Sequence, residues 1–470
     1  MQKNDLIKNV LATVMLLAGA SAVTSCQGLI DAVIGDVDKP TTVTPSTPVT
    51  PTPENLPMIE TPLTFEAVTG TINLTFKSTL KDAVALEYST DGGISWNTVS
   101  VPSGTPEYYD GESHEEVPGT LNTTDAEKIM VRATNATYGE SDWDISSSEV
   151  IRHCSISASD DCYVYGNVMS LINATDFKTL TAFDATKGEY AFYGLFKNNS
   201  HIKNHAEKKL VLPATTLTKG CYNRMFSGCD KLTSTPVLSA TTMAESCYFN
   251  MFSNCVSLTV APELPSTTMA KYCYGLMFSG CTSLTKAPEL PATTLAENCY
   301  SSMFSDCTGL TSAPTLPATT LANSCYSGMF MRCTGLATAS DLPATALADY
   351  CYENMFRGCT SLAVAPILPA TTMADFCYTR MFDGCSSLTS APALPATTLA
   401  KRCYSYMFRD CTSLNSVTCL ATDISAEDCT TNWLRGVASP GTFTKAASMT
   451  SWTTGSNGIP SGWTTKDYTE

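Results

Sequence analysis

The apolar positions of this chain fall into two regimes, one alternating and one strictly periodic. Leu63, Phe65, Ile72, Leu74 and Phe76 alternate with polar residues, the period-2 pattern of half-buried strands. Ala85 to Trp96 reads as a β-hairpin in which Asp91-Gly92-Gly93 supplies the left-handed turn positions. Lys128 to Ala133 reads as a further strand. Residues 58–150 are therefore expected to form a β-sandwich, and 151–186 to connect it to the C-terminal half.

Beyond this the period is 26. Cys221, Cys247, Cys273, Cys299, Cys325, Cys351, Cys377, Cys403 and Cys429 are spaced 26 apart, and a second series from Cys229 to Cys411 has the same period. Each unit reads C-Y-x-x-M-F-x-x-C-x-x-L, then roughly T-x-A-P-x-L-P-A-T-T-L/M-A-x-x, and eight complete units fill 221–428. Self-similarity at 20 to 50 residues marks a solenoid. Ala191-Phe192, Leu195-Phe196, Asn199 and Ile202 fill the same slots before the array, and Cys429, Trp433-Leu434 and Val437 after it. Such degenerate ends suit caps that close an open apolar stack. The solenoid with its caps is placed at 187–437 and a tail at 438–470. Ten rungs at about 5 Å each would span about 50 Å.

Within one unit, Leu295, Cys299, Met303 and Cys307 are four apart, flanked by Ala296, Tyr300 and Phe304. That stripe predicts a short helix. Leu310-Thr311-Ser312-Ala313 then reads as a short strand limited by Pro314 and Pro317, because proline cannot donate to a ladder. Thr293-Thr294 reads as a second short strand or a helix cap.

The unit A-x-x-C-Y-x-x-M-F-x-x-C-x-x-L resembles the BspA-like leucine-rich repeat family, whose units read roughly I-G-x-x-A-F-x-x-C-x-x-L. Cys299 takes the Ile slot, Met303 the Ala slot and Cys307 the Cys slot. The resemblance implies an α/β solenoid with a short strand and a short helix per rung, surface exposure, and binding of host proteins or other cells. The unit here is longer, and its Pro-x-Leu-Pro segment departs from the family pattern. The preceding all-β region resembles immunoglobulin-like or fibronectin-like modules at the level of pattern alone.

Composition narrows the partners. Of 470 residues 43% are hydrophobic, which suffices for packed cores. Only 15% are charged and the formal net charge is −16, which argues against nucleic acid or anionic lipid. At the N-terminus, Lys3 and Lys8 precede an apolar run from Val10 to Ala22, then Val23-Thr24-Ser25-Cys26. This resembles the lipobox of bacterial lipoproteins, implying a signal peptide at 1–25 and lipidation of Cys26. An ordinary secretory signal ending near Ala20-Ser21-Ala22 is the alternative. Gln27 is the next residue, where an Asp would favour inner-membrane retention in some bacteria. The expected address is the outer membrane, facing the exterior, with the acyl chains as the membrane attachment. Residues 26–57 would be anchor and linker. The six prolines from Pro40 to Pro57, set among threonines, favour extended polyproline II.

Candidate chemistry is sparse. Eighteen of the 21 cysteines lie between 221 and 429, but Cys-x7-Cys is no zinc spacing. Free thiols packed as small hydrophobes are favoured, with export to an oxidising compartment as the counter-argument. Cys154 and Cys162 are the better disulfide candidates. His201-x3-His205 has metal-ligand spacing without a third ligand, and Asp110 to Glu116 reads as a solvated loop rather than a calcium site. No catalytic residue, metal or cofactor is expected. Tyr222 and its seven equivalents form one ladder, read as stacked packing. The candidate binding surface is the set of aromatics that vary between rungs: Phe249, Tyr272, Tyr350, Phe376 and Tyr406. The expected function is a surface adhesin or protein-binding scaffold. Glycan capture by exposed aromatics and a ligand-free spacer are the alternatives.

Overall fold

The computed structural model describes residues 58–106, 116–143, 149–450 and 452–469. Cys26, the signal segment, the Pro/Thr-rich linker and most of the acidic loop Asp110–Glu116 lie outside the described residues.

The alternating region forms two sheets, antiparallel except for two short parallel strands at one edge of the first. The first orders β12 (Ile202–Asn204), β11 (Cys162–Asn167), β1 (Leu63–Ala67), β8 (Lys128–Arg132), β3 (Val84–Ser89) and β4 (Asn97–Val101), with β13 (Leu210–Val211) also on β11. The second orders β7 (Gly119–Asn122), β2 (Leu74–Ser78), β10 (Glu149–Ala158) and β9 (Gly139–Trp143). A short pair, β5 (Thr105–Pro106) and β6 (Glu116–Val117), stands apart. Leu74 and Phe76 alternate inward on β2, and Val84, Leu86 and Tyr88 on β3. Both sheets turn these residues into one core. The hairpin forms as its sequence predicts, with Val84 opposite Val101 and Tyr88 opposite Asn97. Gly92 and Gly93 have φ of 78° and 91°, and the Asp91 carboxylate accepts from the N–H groups of Ile94 and Ser95.

Two features separate this region from a free-standing immunoglobulin module, and its strand order does not establish that likeness. β10 and β11 come from the segment read as a connector. β11 is antiparallel to β1 on one edge and parallel to β12 and β13 on the other, so the sheet runs directly into the solenoid.

The predicted helix of each rung is absent: its residues form a ladder of turns. In the rung that opens at Cys299, the N–H groups of Cys299, Met303 and Cys307 donate to the carbonyls of Ala296, Tyr300 and Phe304, three residues back. The N–H groups of Tyr300, Ser302, Phe304 and Asp306 donate instead to Cys325, Ser327, Met329 and Met331 of the next rung. An α-helix would keep all of them internal, four residues back. Here alternate amides bind rung to rung. The geometry needs a left-handed residue every fourth position: before the first cysteine, three after it and seven after it. Asn298, Ser302 and Asp306 have φ of 55°, 53° and 61°. A turn whose third residue is left-handed makes this i to i+3 bond. The pattern holds without a gap through ten successive ladders, from Tyr190 to Gly436.

The predicted strands shrink to isolated parallel bridges, such as Ser312 with Thr338 and Thr294 with Thr320. The core is built from columns. Tyr222 to Tyr404 stack with ring centroids 5.7 to 6.2 Å apart. Phe226 to Phe408 stack beside them at 5.4 to 5.8 Å. The cysteines of the complete rungs are fully buried, and all twenty described cysteines are free thiols, Cys154 and Cys162 included. Those two lie on different sheets. Each second-series thiol from Cys255 to Cys411 donates to a phenylalanine carbonyl 29 residues earlier, as Cys307 does to Phe278 at 3.0 Å.

The tail extends the stack. β14 (Ser416–Cys419) pairs in parallel with β15 (Thr442–Lys445), again 26 residues on, and β15 pairs with β16 (Thr464–Asp467). Trp452 stacks on Trp433 at 5.5 Å. Among the described residues no helix is long and apolar enough to cross a membrane.

Candidate binding face

The turn ladder determines which side chains leave the core. Cys, Tyr, Met and Phe point inward, and the left-handed positions carry the residues that vary. An L-residue in this conformation costs about 1–2 kcal/mol, which Gly, Asn and Asp bear best. Four of the ten rungs conform, with Ser246 and Asn250, Asn298 and Ser302, Ser324 and Gly328, or Asp428 and Asn432 at the first two positions. Four of the five predicted aromatics do not. Tyr272, Tyr350, Phe376 and Tyr406 hold φ of 57°, 57°, 59° and 56°. Phe249 is the exception: it lies two residues after Cys247 and rests on Gly275, where an added Cβ would come within 3.0 Å of its ring.

The structure sorts these five into two groups. Phe249 meets Tyr272 edge to face at 5.9 Å, and the Lys271 ammonium lies 5.3 Å from the Tyr272 ring. Farther along, Tyr350 and Phe376 stack at 4.5 Å and 13°. Tyr350 is 37% exposed, the most open of the five. Tyr406 touches neither, but two arginines join it to the second group.

Those arginines were not singled out in the sequence. Arg380 shares a rung with Phe376, and Arg402 shares the next with Tyr406. The Arg402 guanidinium lies 5.6 Å from the Phe376 ring, and that of Arg380 lies 5.0 Å from the Tyr406 ring. Arginine and aromatic thus alternate along each column and across each rung, a two-by-two chequerboard. All four residues are left-handed, Arg380 at 56° and Arg402 at 53°. Arg409 adds a second cation over Tyr406 at 5.3 Å.

Carboxylates tie down most of this charge. Arg409 forks onto the buried Asp383 at 2.8 and 2.6 Å, and Arg357 reaches the same carboxylate at 3.3 Å. Arg402 binds Asp428 at 2.8 Å. Arg380 is different. Its Nε is buried and has no hydrogen-bond partner among the described residues, as is also true of the Asn354 Oδ1 one rung earlier. The acid coupled to it is Glu353, whose carboxyl is pushed up by burial against the pull of Arg380. The signal for this cluster was available: six of the nine arginines, Arg332 to Arg435, fall in the last rungs.

The other candidates resolve as structure. His201 lies 3.3 Å from Asp161, while His205 packs on Tyr163 at 5.0 Å. Asp160, Asp161 and His201 are the one grouping among the described residues with metal-ligand spacing. Lys203 and Lys231 already occupy Asp161, and their hydrogen bonds hold its carboxyl well below the usual range. Burial pushes the thiols away from the nucleophilic thiolate, Cys221 and Cys307 up to about 12.

None of the curated proteins and none of the solved structures compared with the chain matches it. The profile of the BspA type leucine rich repeat region matches in six copies over residues 186–336, 250–389 and 344–445. These matches cover more than half of the 470 residues, and the chain belongs to the BspA type leucine-rich repeat family.

Proposed function

We propose that this chain is a non-catalytic, adhesin-type scaffold that binds a protein partner through the turn-ladder face of its last rungs. One observation carries the reading: bulky residues sit where the backbone is left-handed, and five of them, from Tyr350 to Tyr406, fall in three consecutive rungs. Folding does not require them, since Ser, Asn and Gly serve at the same positions in other rungs. Strain kept against an available alternative points toward function. Tyr, Phe and Arg are also the side chains that anchor protein interfaces.

Glycan capture is less well supported. Stacking on a sugar needs an open ring face, and Phe376 has Tyr350 on one side and Arg402 on the other. Display at the exterior of an outer membrane through a lipid on Cys26 belongs to the same proposal, with the Pro/Thr-rich segment as a stalk. Protease treatment of intact cells should release the chain, and Cys26→Ala should abolish membrane retention; protection of the wild-type chain would overturn the surface address.

The binding test is an array of extracellular proteins and glycans probed with the full chain and with the double variant Phe376→Asn, Tyr406→Asn. These substitutions install a residue found at equivalent positions. A protein ligand lost at least tenfold in the variant is the expected result. Equal binding by both forms, or binding to neutral glycans alone, would overturn it.

A further inference from the structure

We infer that the junction between the sheets and the first rungs holds a binding site for a small, uncharged, apolar molecule, separate from the turn-ladder face.

The site arises where the chain departs from its repeat. Ten residues separate Ile202 from Leu212, whereas six separate Leu258 from Leu264 and Leu284 from Leu290. The four extra residues are taken up in a turn, in which the His205 Nδ1 accepts from the N–H groups of Glu207 and Lys208 at 3.1 and 3.0 Å. Between this turn and Pro236-Val237 of the next rung lies a cavity of about 280 Å³. Val164 of β11, Val211, Leu212, Phe226 and Leu232 supply its buried apolar wall. Its mouth is open, since Lys209 is exposed and Val237 is 52% exposed.

The chemistry of the lining selects the occupant. Its amide and its cations are engaged within the chain. Asn204 donates to the Ser234 carbonyl at 3.0 Å and accepts from the N–H groups of Thr233 and Ser234 at 2.8 and 3.0 Å. Lys208 is neutralised by Glu66 at 2.6 Å, and Lys209 turns back onto the Ala206 carbonyl at 3.0 Å. What remains is apolar surface and the hydroxyls of Ser234 and Thr235. An ion entering here would lose water without gaining a counter-charge. A neutral molecule gains by leaving water, and one polar group on it can meet a hydroxyl. Size sets the scale: an apolar cavity of about 150 Å³ takes up benzene, so this one accommodates about a dozen non-hydrogen atoms.

The experiment uses the full chain and three probes with one ring system and different charge: 2-naphthol, 2-naphthoate and 2-naphthylmethylammonium. In titration calorimetry 2-naphthol is expected to bind once per chain, with a Kd on the order of 100 µM. Both ions should bind at least tenfold more weakly. Val237→Trp places an indole at the mouth and should weaken 2-naphthol at least tenfold. Thr315→Trp, at the same place three rungs later, should leave binding unchanged, as should Phe376→Asn, Tyr406→Asn on the turn-ladder face. Methyl NMR of the unaltered chain gives a second readout, in which 2-naphthol should shift the signals of Val164, Leu212 and Leu232.

Absence of saturable 2-naphthol binding would overturn the inference, as would equal affinity for either ion. Binding that Val237→Trp keeps, or that Phe376→Asn, Tyr406→Asn loses, would overturn the location, as would methyl shifts confined to other rungs.

Discussion

Leu276 sits at φ 56° in the position that Asn250, Asn354 and Asn432 hold in other rungs. Its aliphatic side chain has no ring or charge with which to offset the strain. Leu276→Asn should therefore raise stability by about 1 kcal/mol, less the small apolar area lost. Gly280, at φ 76°, should show the reverse: Gly280→Ala is expected to lower stability by about 1 kcal/mol. Thermal unfolding of the two variants checks both, and matching signs would contradict the ladder geometry. At Tyr406 the balance is closer, since two arginine contacts of about 0.5–1 kcal/mol each offset most of the strain. Its replacement should thus alter binding while leaving stability within about 1 kcal/mol. The thiols make a separate prediction at this scale. Burial pushes Cys221, Cys255, Cys273, Cys307 and Cys325 up to about 12, while an unfolded thiol titrates near about 8.5. The unfolded chain releases protons first as pH rises, so the folded state loses stability through this window. Each such thiol removes on the order of 1 kcal/mol per pH unit above the unfolded value, and the effect accumulates over the buried column toward the size of an ordinary folding free energy. Unfolding by about pH 10, followed by tryptophan fluorescence, is the expected result, and an unchanged signal at pH 11 would refute the free-thiol core.

The turn ladder accounts for the interval of 26 residues. Every second amide donates to the next rung, so one residue more or less in a ladder misplaces all later bonds. Excising residues 299–324 joins Asn298 to Cys325 and keeps every left-handed position in phase. That variant should fold, with far-ultraviolet circular dichroism per residue like that of the parent and no helical double minimum. Deleting Ser301 alone should unfold the rung, because it moves Met303 and Phe304 out of the core at about 3 kcal/mol or more each. Much of this element was legible in the chain: the period, the burial of both cysteine series, the tyrosine column as packing and the strands around Leu74 and Val84 all follow from spacing. The helix did not survive, for a physical reason. Cys299, Met303 and Cys307 are separated by four and four, whereas a helix of 3.6 residues per turn mixes threes and fours to hold one face. The residue before the second cysteine was the other signal. It is Gly228, Asn254, Gly280 and Asp306 in successive rungs, a column of left-handed formers that a helix would place at a disadvantage. The chequerboard of Arg380, Phe376, Arg402 and Tyr406 stayed hidden because which positions face outward depends on that backbone.

One aromatic column runs from the sheets to the tail. Tyr138 stacks on Phe192 at 6.1 Å, Phe192 on Tyr222 at 5.9 Å, and the eight tyrosines lead to Trp433 and Trp452. The sheets thus cover one end of the solenoid, with Phe65 meeting Phe196 beside the column. At the other end Phe443 and Trp452 close over Trp433. The segment 438–470 carries no Cys-Tyr pair, so its sequence shows no repeat, yet it supplies the parallel strands that continue from β14. Its role as a cap yields a prediction for the whole chain. Ending the chain at Val437 removes the cover from Trp433 and Leu434, which are 0% and 2% exposed, and leaves β14 as an open edge. An uncovered apolar face and an unpaired strand edge both favour self-association. The truncated chain should therefore aggregate or form dimers in sedimentation velocity, whereas the full chain resists. Adding Trp433→Asn should not rescue solubility, because the β14 edge stays open and the smaller side chain uncovers Tyr404, on which Trp433 stacks. A truncated chain that stays monomeric with an unchanged melting temperature would show that the solenoid ends at Val437 and that its tail covers nothing.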